Sequence, residues 1–143
     1  MGTKKAISYD LRKNFEIEKS ILKFSQHLMS NSKWVKLIEA IVENADHFKK
    51  IQFKKIQNDI IGELFINGES TFEFDYWQTG FEGNNSLGGW LEYIEIEYLI
   101  FPVIISSENN IQDLIQIKSF IEKTGQFDIE MNDVELKLIC YKI

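Results

Sequence analysis

Between Ile56 and Ile117 the chain has no lysine, arginine or histidine. The same span holds eleven carboxylates: Asp59, Glu63, Glu69, Glu73, Asp75, Glu82, Glu92, Glu95, Glu97, Glu108 and Asp113. A long block of one sign sets up a field, and a field selects partners of opposite sign. The flanks differ. Residues 1–55 carry twelve Lys/Arg against six Asp/Glu, and residues 118–143 carry four against five. The net charge is −6 and the isoelectric point is near 5.0. That balance argues against nucleic acid or anionic membrane as the main partner, because phosphate recognition needs clustered Lys/Arg.

Other scarcities narrow the choices further. Cys140 is the only cysteine. It excludes an internal disulfide and a multi-thiolate metal site. Its strand-like setting, Leu138-Ile139-Cys140-Tyr141, suggests a buried, inert thiol. Pro102 is the only proline and is expected to end a strand's pairing or mark an edge. The longest apolar stretch, Tyr98 to Ile105, is too short to span a bilayer. No apolar run follows Met1-Gly2-Thr3-Lys4-Lys5, so no signal peptide is expected, and Gly2 is not followed by Ser or Thr at the position a myristoylation motif wants. A cytoplasmic location is the resulting expectation. The two histidines, His27 and His47, have no triad or metal spacing around them.

What is present suits one folded domain over 1–143, with 1–9 as a flexible polar tail. Apolar residues make up 44% and aromatics 13%, ample for a core in a chain of 143 residues. Ile17, Ile21, Phe24 and Leu28 share a face of a helix expected from Asp10 to about Met29. Asn31 or Ser32 can cap a second helix, with Trp34, Leu37, Ile38, Ile41 and Ala45 at helical spacing. The period then shortens. Strands are expected at Ile51–Phe53 and Ile60–Ile66, with Asn67-Gly68 as a hairpin signal. Thr71 to Tyr76 alternates strictly between polar and apolar residues, the pattern of a half-buried strand.

Gln78–Gly89 reads as a glycine-rich loop flanked by Trp77 and Trp90. It lacks the Lys-Ser/Thr ending of a phosphate loop and matches no dinucleotide fingerprint. Trp90–Ile100 reads as one long strand, with Trp90, Glu92, Ile94, Ile96 and Tyr98 on one face. Leu91, Tyr93, Glu95, Glu97 and Leu99 fall on the other. Asn109 or Asn110 is expected to cap a third helix with Asp113 in its first turn, Ile111, Leu114, Ile115 and Ile121 inside, and Gly125 beyond its end. A hairpin of Phe127–Met131 and Val134–Ile143 closes the chain. The order is α-α-β-β-β-β-α-β-β, an α+β domain with a largely antiparallel sheet.

The chemistry to weigh lies in the carboxylates. Glu73 and Asp75 are two apart, as are Glu95 and Glu97, so each pair shares a strand face. If the two strands are neighbours, their like charges repel and call for a partner to relieve them. The leading expectation is therefore a docking face for a basic protein. Its residues are Glu73, Asp75, Glu82, Glu92, Glu95 and Glu97, with Trp77, Tyr93 and the Gly80–Gly89 loop as aromatic and adaptable contacts. The bland alternative is a solvated face whose charge prevents edge aggregation.

Clustered carboxylates also suit Mg²⁺, Ca²⁺ or Mn²⁺, but no Asp-x-Asp-x-Asn-Gly loop is present. Paired carboxylates could serve an enzyme such as a glycosidase, which would need a roomier cleft. No catalytic residue, metal ligand or cofactor is assigned. A third reading is a structural or regulatory module that self-associates through its apolar helices or an open sheet edge.

Asn31-Ser32-Lys33-Trp34, opening a helix Val35-Lys36-Leu37-Ile38-Glu39-Ala40-Ile41, resembles the start of an uncharacterised family of small bacterial proteins with an Asn-Ser/Thr-Lys-Trp motif. Trp77 and the later Gly89-Trp90 fit the same pattern, so the resemblance covers residues 30 to 143. It supplies no catalytic residues. In size and charge the chain is also similar to immunity proteins of polymorphic-toxin and contact-dependent inhibition systems. Those are small acidic domains that neutralise a toxin domain, often a basic nuclease. This similarity implies a non-catalytic protein whose partner is a cationic toxin.

Overall fold

The computed structural model describes residues 4–106, 108 and 110–143, with side chains from residue 11 onward. Three α-helices and a mostly antiparallel set of strands form an α+β domain. Helix α1 spans Lys4–Ile21, so the helix begins within the expected tail and ends well short of Met29. It ends early because the following residues pair elsewhere. Strand β1 (Gln26–His27) lies antiparallel to the last strand, and Leu28 N donates to Cys140 O at 2.8 Å.

Helix α2 covers Asn31–Glu43 and is capped by Ser30, whose Oγ accepts from Lys33 N at 3.1 Å. The cap is thus one residue ahead of the expected Asn31 or Ser32. Trp34, Leu37, Ile38 and Ile41 form its buried stripe as the spacing requires. Strands β2 (Ile51–Lys55) and β3 (Ile61–Leu64) pair antiparallel.

No hairpin forms at Asn67-Gly68. Neither residue has positive φ, and Asn67 Oδ1 instead accepts from Glu69 N at 2.8 Å. Nor is Thr71–Tyr76 a strand. Thr71 O accepts from Asp75 N at 2.8 Å, Asp75 Oδ2 accepts from Thr71 N at 2.8 Å, and Glu73 sits at φ 67. The side chain of Asp75 closes its own turn, which period-two spacing cannot reveal.

The glycine loop contains strand β4 (Gly80–Glu82), paired with β5 (Trp90–Glu92). The expected long strand breaks after β5 into a short 3-10 turn, Tyr93–Glu95, before β6 (Ile96–Pro102) resumes. Pro102 ends β6, as expected.

Helix α3 is Leu114–Thr124. Asp113 is its cap, with Oδ1 accepting from Ile115 N at 3.0 Å and Gln116 N at 3.1 Å. Asn110 is not the cap, and Asn109 lies outside the described residues. The buried stripe is Leu114, Ile117 and Ile121; Ile111 and Ile115 are exposed. Strands β7 (Asp128–Met131) and β8 (Glu135–Ile139) form the closing hairpin, and β9 (Tyr141–Lys142) leaves that sheet to pair with β1.

The main sheet has the order β3-β2-β6-β8-β7, antiparallel throughout. Its inner face presents Ile51, Phe53, Leu99, Phe101, Leu136 and Leu138, all buried in one core with the stripes of α2 and α3. Each such side chain contributes about 1.5–3 kcal/mol on burial.

Candidate protein-docking surface

The break after β5 decides where the middle carboxylates go. Tyr93 turns inward and stacks on Trp34, with ring centroids 5.3 Å apart, while Phe81 meets it edge-on at 5.3 Å. Its hydroxyl donates to Trp77 O. Burial pushes the pKa of that hydroxyl well above the usual tyrosine value.

Two residues on, Glu95 is fully buried. Its carboxylate accepts from Gln57 Nε2 and from Glu92 N, each at 2.8 Å. Lys13 Nζ lies 3.3 Å away and Lys55 Nζ 3.6 Å away. Four groups, from α1, the end of β2, the turn after it and the end of β5, therefore converge on one carboxylate. A buried charge is tolerable only when paired and hydrogen-bonded in this way. Glu97 is paired too, with Lys54 Nζ at 2.8 Å.

The residues between β3 and β5 are arranged differently. Phe65 is 50% exposed, Phe74 77% and Trp77 40%. Glu69, Glu73 and Glu82 are exposed beside them in sequence, with no ion pair among the described residues. Glu82 pairs with Trp90 across the β4–β5 hairpin, so their side chains share its outer face. Together with Trp77, Gln78 and Thr79 they line a shallow groove of about 520 Å³. Burial, then the nearby Glu39 and Asp75 carboxylates, raise the pKa of the Tyr76 hydroxyl. Glu39 of α2 thus lies near this segment.

Of the eight residues expected to form the face, Glu73, Trp77 and Glu82 are exposed on this segment, and Glu92 and Asp75 are partly covered. Tyr93 and Glu95 are core residues and cannot touch a partner in this fold. Glu97 is mostly covered and paired. The two expected carboxylate pairs do not lie on neighbouring strands, because the first pair is not on a strand at all. Sequence reasoning missed the exposure of Phe74, since alternation placed it inside. It also missed the partners of Glu95, since nothing local links Lys13 or Lys55 to it.

Among the described residues no group of three or more His, Cys, Asp or Glu side chains is placed to share a metal ion. No helix among them is long and apolar enough to cross a membrane. Cys140 is buried, and burial, then the Glu97 charge, push its thiol far above the usual range, as expected for an inert thiol. No family model, curated protein or solved structure matches this chain.

Proposed function

We propose that this chain is a non-catalytic binding protein of the immunity type, which neutralises a cationic toxin domain by docking the segment between β3 and β5 over it. The observation that carries this reading is the coincidence of exposed aromatics with unpaired carboxylates. Phe65, Phe74 and Trp77 are at least 40% exposed, in a stretch with no Lys, Arg or His. Large exposed apolar side chains ringed by charge are what protein interfaces use: aromatics anchor, and charge steers and fixes register. Glu69, Glu73 and Glu82 supply the steering, and Phe74 and Trp77 the anchors. The buried Glu95 holds the underlying scaffold and makes no contact with the partner.

Co-expression with cationic toxin domains encoded beside this gene tests the reading. Wild-type protein protects the cells; Phe74→Ala with Trp77→Ala does not, while remaining folded. Binding of the purified pair weakens as salt rises, and Glu73→Lys with Glu82→Lys flattens that dependence. A pair that binds equally well at low and high salt, or that tolerates all four changes, sinks the reading.

A further inference from the structure

In a protein that is acidic overall, one cleft is lined by cations. It lies between α1, the turn after β2 and the Gly88-Gly89 loop, with a volume of about 560 Å³, within the usual range for small-molecule sites. Arg12, Lys13 and Lys55 line it, and Glu16 is the only carboxylate lining it among the described residues.

Beside the cleft stands the buried Glu95. One carboxylate faces two ammonium groups there, at 3.3 and 3.6 Å; with Arg12 and Glu16 also lining the cleft, three cations face two carboxylates and an excess positive charge remains. The lysine side chains are only 23% and 17% exposed, where solvent screens them poorly. Lys13 also donates to Trp90 O at 3.3 Å, which holds its stem in place.

One further feature points to a ligand. Across the cleft, Trp90 offers an apolar wall beside Gly88 and Gly89, whose φ of 76 and 71 hold the loop open with no side chain to fill it.

We propose that this cleft binds a small molecule with an oxyanion head and a flat apolar body. The head, a phosphate monoester or a carboxylate, takes the charge of Arg12, Lys13 and Lys55. The body lies against Trp90. Trp90 lines both this cleft and the groove of the docking surface, but the cations Arg12, Lys13 and Lys55 line the cleft alone, so either site can fail without the other.

Nuclear magnetic resonance titration of the full chain with phenyl phosphate, benzoate and uncharged benzyl alcohol tests this. Saturable shifts of the Gly88 and Gly89 amides and the Trp90 indole are expected with one or both anions, at a Kd of about 1 mM or below. The tighter anion identifies the head group, and benzyl alcohol produces no such shifts. R12Q and K55Q each weaken binding about tenfold. Arg12 is exposed and makes no ion pair among the described residues, so R12Q keeps the fold and decides the matter if K55Q does not. No saturable shift up to about 10 mM, equal shifts with benzyl alcohol, or wild-type binding by R12Q overturns the proposal.

Discussion

Two stretches of the same cation-free block, Thr71–Glu82 and Glu92–Glu97, carry the same residue types and end in opposite places. In the second, Glu95 is buried and Glu97 mostly covered, and three lysines from outside the block, Lys13, Lys54 and Lys55, come to meet them. In the first, Glu73 and Glu82 are exposed with no ion pair among the described residues, and Phe74 stands out beside them. A carboxylate's role in this molecule is set by the elements packed on it, not by its neighbours in sequence. The paired stretch holds the β5–β6 junction in place, and the unpaired stretch is the one proposed to meet a partner.

The contrast is sharpest at Glu95. Glu95→Ala leaves two lysines facing each other and Gln57 without its acceptor, and it is expected to cost about 3–5 kcal/mol in chemical denaturation. Glu95→Gln keeps part of the hydrogen bonding and costs less. A loss below about 1 kcal/mol for the alanine variant would mean that the node is solvated and the two stretches alike.

Tyr93→Phe keeps the stacking on Trp34 and removes only the bond to Trp77 O. A loss of about 1–2 kcal/mol is expected, because the carbonyl is left without its donor. Urea midpoints at constant slope measure it.

Glu73→Lys with Glu82→Lys should change stability by no more than about 0.5 kcal/mol, as for surface sites away from special contacts. A larger loss would place these carboxylates in the scaffold and erase the distinction from Glu95.

The smallest effect concerns His27, which lies outside both stretches and stacks on Tyr141 at 4.4 Å. Burial lowers its pKa from the ordinary 6.5. The unfolded chain therefore takes up the proton more readily. The His27 contribution is fully present above pH 6.5 and is lost as pH falls from there through the folded-state value. Melting temperature should fall slightly over that window, and His27→Gln should remove that part of the slope.

Helix α2 was legible because four apolar positions at helical spacing overdetermine its buried face. The closing hairpin and the strand end at Pro102 were legible for similar local reasons. Thr71–Tyr76 misled because alternation describes a strand only if a neighbour pairs with it, and Asp75 instead closes a turn on Thr71. Trp90–Ile100 misled because the three-residue 3-10 turn Tyr93–Glu95 interrupts it, and the face that carries Leu91, Tyr93, Glu95 and Leu99 is buried. The expected face lost Tyr93 and Glu95 to the core and Glu97 to its pairing with Lys54.

From its own sequence this protein has its α+β class, its acidic middle block and most of its core stripes, since periodicity and composition act locally along the chain. Which carboxylates stand free was decided only in three dimensions. Lys13 and Lys55 are eighty-two and forty residues from Glu95. Coulombic pairing depends on distance through space, and no local pattern records which distant cation a buried charge will find.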